Sequence, residues 1–226
     1  MNDSIPSEIR AYYDARAQEY DEIYSGKGPA IPDQDAYKTD AAKISKLVSP
    51  FGKGSLIDIG CGTGFWLPHY APNCSRITLI DQSEKMLSKC RTKIDKLRLT
   101  NKCNLIRGDF FDVAFGDYSF DSALVGFFIS HLSFEREQTF FKKLGNILKP
   151  DAQLMLIDSA WSRKRQQHRK KEGIQERVLN NGRIFNLYKR YFDKADIEAI
   201  FNRYQFKLLS LYMGDVFLAA QGTNSK

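Results

Sequence analysis

The sequence predicts an α/β protein built on a doubly wound, mostly parallel sheet that finishes in an antiparallel hairpin. Three observations carry this. Short apolar runs alternate with stretches of helical periodicity, the pattern of βαβ units with right-handed crossovers. The first run passes directly into a turn with glycines at 60, 62 and 64. The last two runs are separated only by Gly214 and Asp215, a link that suits a hairpin and is too short for a crossover.

Taken in order, Ile9, Tyr13, Arg16 and Tyr20 fall at helical spacing, with Ser7 placed to cap a first helix. A turn-rich stretch with Gly26, Gly28 and Pro29 follows, and Ala41 to Val48 reads as a second helix stopped by Pro50. The pattern then changes. Leu56–Ile59, Ile77–Ile80, Asn104–Ile106, Phe120–Val125 and Leu154–Ile157 read as strands, with a helix expected near Phe65 after the glycine turn. Met86, Cys90, Ile94 and Leu97 mark one helical face between strands, and Phe141, Leu144, Ile147 and Leu148 mark another. Ile197, Ile200, Phe201 and Tyr204 form a last amphipathic helix before the runs Phe206–Met213 and Val216–Ala220.

The 226 residues, 42% hydrophobic and 27% charged, suit one soluble domain with a sizeable core. The start has no basic region leading into an apolar run, and no stretch is long enough to span a bilayer. Cys61, Cys74, Cys90 and Cys103 lack zinc-site spacing, so free thiols in a reducing cytoplasm are expected, with no metal. The net charge of +7 is local. Between Trp161 and Arg190 ten Lys or Arg stand against two Glu, a balance of +8 that leaves about −1 elsewhere. A generally nucleic-acid-coated surface does not look like this.

In an open α/β sheet the ligand lies beyond the carboxyl ends of the strands, at the switch point. A dinucleotide fingerprint is G-x-G-x-x-G, but this turn reads D-x-G-x-G-x-G from Asp58. Asp58 disfavours a pyrophosphate and favours a ligand with an ammonium group. Asp81 ends the second strand 21 positions after Gly60, where such folds place the carboxylate that binds ribose hydroxyls. Asp109 and Phe110 follow the third strand, a carboxylate for an adenine amino group and a ring for the base face. Together they imply adenosine without phosphates, carrying a cationic tail, a description that S-adenosylmethionine meets.

On these motifs the chain resembles the class I S-adenosylmethionine-dependent methyltransferases of small-molecule type across essentially its whole length. "LIDIGCGTGFW", "LIDQSEKML" and "GDFFD" resemble the family's first three motifs, "FDSALVGFFISHL" its fourth strand and "ILKPDAQLMLID" its fifth. The family's usual Pro-Gly-Gly is here Pro150, Asp151, Ala152. The resemblance implies a Rossmann-like seven-stranded sheet and a monomer or homodimer acting on a small-molecule acceptor. It implies a cofactor site formed by Tyr13, Tyr20, Asp58, Gly60, Cys61, Gly62, Asp81, Gln82, Met86, Asp109, Phe110, Gly126 and Phe127. Within one domain, residues 1–50 are expected to form an N-terminal helical cap and 51–159 the cofactor core. Residues 160–192 would be a basic lid insertion, and 193–226 the closing helix and hairpin.

Methyl transfer from a sulfonium is an in-line displacement, so alignment and water exclusion matter most, and a base is needed only for a protonated nucleophile. His131 is the candidate base, with helix capping or packing as the alternative. Phe128 is expected to wall the acceptor pocket. Tyr12 and Tyr13 are adjacent, so at least one leaves the packing face of its helix. Asn180, Asn181 and Gly182 signal a turn between Val178–Leu179 and Ile184–Tyr188, a hairpin-like cover. Arg177 and Arg183 flank it and could grip an anionic acceptor. Other readings are an RNA methyltransferase using the basic segment and a non-catalytic methyltransferase-like subunit. The first lacks the Pro-Pro-Tyr/Phe or Pro-Cys signatures, and the second would have lost the motif carboxylates and glycines.

Overall fold

The computed structural model describes residues 4–29, 31, 33–116 and 119–225. Seven strands form one sheet: β1 (Gly54–Ile59), β2 (Cys74–Asp81), β3 (Cys103–Arg107), β4 (Phe120–Gly126), β5 (Leu148–Ser159), β8 (Phe206–Met213) and β9 (Phe217–Asn224). Their order is β3-β2-β1-β4-β5-β9-β8. The first five are parallel, and β9 runs antiparallel between β5 and β8. The chain winds outward from β1 to β3 and then returns to β4, so the switch point lies between β1 and β4, in register at Ile59 and Val125. The doubly wound, seven-stranded expectation is the observed fold.

Alternation along the strands divides the core. Ile57 and Ile59 of β1 pack on one face with Phe120, Phe140, Leu144 and Phe201. Leu56, of opposite parity, packs on the other face with Ile44, Val48, Tyr70 and Leu79. Both faces are therefore covered by helices, as a parallel sheet requires. The helices are α1 (Ser4–Arg16), α2 (Gln34–Val48), α3 (Leu67–Tyr70), α4 (Glu84–Lys96), α5 (Phe134–Ile147), α6 (Arg163–Gln166) and α7 (Lys194–Arg203). Asp33, Ser83, Ser133 and Asp193 cap α2, α4, α5 and α7 with their side chains.

Several local expectations are revised. The first helix begins at Ser4, so Ser7 lies within it and not ahead of it. The glycine turn leads only to the four-residue α3 and a 3₁₀ turn over Ala71–Asn73, with Pro68 and Pro72 at their starts. Leu148 ends the α5 face and opens β5. Asp151 adopts φ +55°, so an aspartate holds the left-handed corner that the family's glycine would fill.

The basic segment forms a separate two-stranded ribbon, β6 (Glu172–Val178) and β7 (Ile184–Arg190), paired from Glu172↔Arg190 to Val178↔Ile184. Its helical part is only α6. The ribbon packs on α1 through a small apolar cluster of Tyr12, Leu179 and Leu187, with the Tyr12 and Phe185 rings 5.4 Å apart. At its tip the Asn180 backbone N–H donates to Glu19 at 3.0 Å and its side chain to Glu22 at 2.9 Å. The N-terminal helix and the ribbon thus form one roof over the carboxyl ends of the strands.

Candidate active site

Two cavities lie under that roof and share Tyr13, Tyr20, Phe127 and His131. The smaller, about 550 Å³, sits at the switch point against Gly60, Gly62, Asp81, Met86, Phe111 and Gly126. The larger, about 930 Å³, opens beneath the ribbon against Arg16, Tyr37, Arg165, Arg177, Lys189 and Tyr191. Both volumes fall in the range of small-molecule sites.

The floor of the smaller cavity follows from the glycine turn. Gly60 and Gly62 adopt φ +69° and +53°, which side chains rarely tolerate. A Cβ on Gly60 would stand 3.1 Å from the Phe128 ring. Asp81 fastens this turn to the next strand. One carboxylate oxygen accepts from the Gly62 N–H at 2.9 Å and the other from the Ser83 N–H at 2.8 Å. Burial pushes the Asp81 carboxyl up to about 6, against those hydrogen bonds. Each oxygen keeps a lone pair for a further donor such as a hydroxyl.

The expected site residues separate into three groups. Tyr13, Tyr20, Gly60, Gly62, Asp81, Gln82, Met86, Phe110, Gly126 and Phe127 line the smaller cavity, as do Phe128 and His131. Arg177 lines the larger. Asp58, Cys61, Asp109 and Arg183 line neither.

Asp58 lies behind the turn, 2% exposed, and accepts from the Tyr70 hydroxyl at 2.6 Å. Its side chain has the parity of Leu56, which points to the face covered by α2 and α3. Cys61 is buried in the same corner, where burial raises its thiol well above the ordinary value. Asp109 turns its carboxylate to the Phe111 N–H at 3.0 Å and to Arg136 at 3.6 Å. Arg183, at the ribbon tip, folds over the Phe185 ring of β7 at 5.0 Å. Phe110 is 2% exposed and buries itself among Phe115 and Phe140. Its neighbour Phe111 is half-buried, with the Arg136 guanidinium 4.2 Å from its centroid.

Asp58 carries a testable pH dependence. Burial pushes its carboxyl up to about 7; the Tyr70 hydrogen bond opposes the rise and the Asp81 charge adds to it. The folded chain therefore holds this proton more tightly than the unfolded chain does. That stability is full below the ordinary carboxyl range near ~4 and is lost as pH rises through about 7. Asp58→Asn fixes the neutral form, so its melting temperature should gain on the wild type between pH 5 and pH 8. Parallel shifts of the two proteins would refute a buried titrating Asp58.

The junction of the cavities is set by Tyr13 and His131. The Tyr188 carbonyl can only accept, so the His131 Nδ1, 2.9 Å away, carries the hydrogen. Nε2 then accepts from the Tyr13 hydroxyl at 2.9 Å. Burial lowers the His131 pKa well below its ordinary value, and the positive charges of Lys189, Arg177 and Arg16 lower it further. This is a neutral histidine with both nitrogens engaged, closer to the packing alternative than to a free base. Of the two adjacent tyrosines, Tyr12 packs under the ribbon and lines only the larger cavity, whereas Tyr13 lines both.

Sequence reasoning missed Lys189 and Asp158, and it placed Arg165 and Arg169 only in the basic segment of the RNA reading. Lys189 is 6% exposed, donates to the Ser130 hydroxyl at 2.5 Å and lies 3.3 Å from the fully buried Asp158. Asp158 is the aspartate closing "LMLID", and only the ribbon's alternation brings Lys189 to it. Two further lysines of the basic segment are spent on carboxylates: Lys164 on Asp33 and Asp215, Lys171 on Asp193 and Asp196.

The chain is similar to known methyltransferases in sequence and in fold. A methyltransferase-domain family model matches residues 57–156. A demethylmenaquinone methyltransferase of Porphyromonas gingivalis is 24% identical over 119 residues, 51% of this chain and 48% of the relative. The chain thus spans about half the length of the curated relatives it matches. The fold also resembles that of DhpI in its SAM–HEP complex, with a TM-score of 0.76 and 21% identity over 98% of this chain and 99% of that one. A 1,6-didemethyltoxoflavin-N1-methyltransferase of Burkholderia thailandensis with bound S-adenosylhomocysteine has a TM-score of 0.67 and 13% identity, over 98% and 89%.

Proposed function

We propose that the chain carries a class I S-adenosylmethionine-dependent methyltransferase domain and transfers a methyl group to a small-molecule acceptor. The observation that carries the proposal is the meeting of two cavities at Tyr13, Tyr20, Phe127 and His131. The smaller suits the cofactor chemically. Asp81 offers acceptors to ribose hydroxyls, and Ile80, Met86 and Phe111 offer an apolar wall to adenine. The rings of Tyr13, Tyr20 and Phe127 offer π faces to a sulfonium. When bound, S-adenosylmethionine supplies an electrophilic methyl carbon.

The chain's own residues would bind, align and exclude water. Tyr13 keeps its proton, because burial raises its pKa well above the ordinary phenol, and so acts as a fixed donor to His131. We assign residues 1–50 and 160–192 to a cap and lid, 51–159 to the cofactor core and 193–226 to the closing helix and hairpin. Among the described residues no helix is long and apolar enough to cross a membrane. We place the reaction in the cytoplasm.

The test has two arms. Calorimetric titration should show S-adenosylmethionine binding to the free chain. Methyl-labelled cofactor incubated with a cell extract split into small-molecule and RNA fractions should label the former. Label confined to RNA, falling steeply with salt as phosphate contacts do, would replace this reading with the RNA one.

A further inference from the structure

The larger cavity is unevenly charged. Its acidic residues are already taken up at the rim: Glu19 and Glu22 by Asn180, Asp33 and Asp215 by Lys164. Three of its arginines hold neutral partners instead. Arg16 donates to the Tyr12 hydroxyl at 2.8 Å, Arg165 to the Val216 carbonyl at 2.7 Å and Arg177 to the Tyr191 hydroxyl at 3.0 Å. Among the described residues no carboxylate lies within 4.0 Å of Arg16, Arg165, Arg169 or Arg177. Lys189 has Asp158, but that carboxylate also accepts from the Ser130 and Ser159 N–H groups. Half-buried guanidinium groups without a counter-charge are costly unless an anion joins them.

Two neutral groups register the same field. Burial alone would raise the Tyr191 phenol, yet Arg177, Arg165, Lys189 and Arg169 bring it below its ordinary value. His131, at the junction, is held down by burial and then by Lys189, Arg177 and Arg16. The positive potential therefore reaches the place where the cavities meet and is not confined to the outer rim.

Resting on the methyl-transfer reading above, we infer that the acceptor's nucleophile is an anionic oxygen, of a carboxylate or an organic phosphate, held by Arg177, Arg165, Lys189 and Arg16 at the junction. A lone pair of that oxygen forms the new O–C bond as the methyl C–S bond breaks. The bonding pair stays on sulfur, which becomes a neutral thioether. No proton moves, so no base is required. The ester product carries one negative charge fewer and is held less tightly by the cations, which favours its release.

The experiment uses the full chain with tritiated-methyl cofactor and four probes: benzoate, phenyl phosphate, benzyl alcohol and aniline. Trp161 stacks on Tyr191 at 6.1 Å between centroids, so its fluorescence reports occupancy of the cavity. Benzoate or phenyl phosphate should perturb it saturably and accept the methyl group; the neutral probes should do neither. Which of the two anions turns over distinguishes carboxylate from phosphate. Arg177→Gln should raise the Michaelis constant of the anion on the order of 10- to 100-fold, the worth of a charged hydrogen bond, with cofactor affinity unchanged. Arg165→Gln serves as the second variant should Arg177→Gln fold poorly. Preferred methylation of benzyl alcohol or aniline, or anion binding indifferent to both variants, would overturn the inference and leave the methyl-transfer reading standing. Absence of cofactor binding would overturn both.

Discussion

Replacing Glu137 by alanine is expected to lower the unfolding free energy by about 3–5 kcal/mol, the loss typical of a buried ion pair stripped of one partner. Glu137 lies in the first turns of α5 and is fully buried. Its carboxylate accepts from Arg190 of β7 at 2.8 Å, Arg203 of α7 at 3.3 Å and the Tyr204 hydroxyl at 3.0 Å. One carboxylate thus ties the base of the ribbon and the end of α7 to the helix whose start walls the smaller cavity. Without it the Arg190 guanidinium, whose side chain is 16% exposed, stays buried beside its remaining weak partner, the Leu132 carbonyl at 3.3 Å. Urea unfolding measures the effect. Glu137→Gln keeps the shape and an acceptor, so it should lose less, and the difference reports the charge. A loss under about 1 kcal/mol for the alanine variant would place it with ordinary surface changes and show that the ribbon is anchored elsewhere.

Asp81→Ala should weaken cofactor binding by about 1.5–3 kcal/mol, the range for hydrogen bonds to a charged group. The substitution removes the carboxylate facing the smaller cavity and the acceptor that fastens Gly62 to β2. Calorimetry on the folded variant measures it. Affinity in the wild type should also fall as pH drops through about 6, where Asp81 takes up a proton. Asp109→Ala is expected to lose less, because its carboxylate faces the Phe111 N–H and Arg136 and not the cavity. Unchanged affinity in a folded Asp81→Ala chain would remove Asp81 from the site, and a larger loss at Asp109 would reverse the ranking.

Much of the fold and of the cofactor side was legible before any coordinates. Strand parity in "LIDI", the glycines of the turn and the spacing to Asp81 are local, because a strand and its turn are fixed by a few neighbouring residues. The same locality explains why the ribbon's turn at Asn180–Gly182 could be read. Adjacent-residue choices were less legible. Phe110 and Phe111, or Tyr12 and Tyr13, are equivalent in sequence, and only packing decides which ring is buried and which stays half-buried.

The acceptor side was decided by tertiary structure. Arg177 and Arg183 look alike on either side of a turn, but one meets Tyr191 under the roof and the other lies outside on Phe185. On the cofactor side, Asp58 precedes the glycine turn as a ligand would, but the fold brings the Tyr70 hydroxyl onto its carboxylate behind that turn. The ten cations of the basic segment formed one charge count. Which of them neutralise carboxylates and which line the cavity depends on partners up to 131 positions away, as for Lys164 and Asp33. The sequence alone therefore determined the sheet, its switch point and the glycine–carboxylate frame, whose interactions are short in range along the chain. Only the tertiary structure determined the electrostatics of the larger cavity, because charge acts through space and its balance depends on every element folded around it.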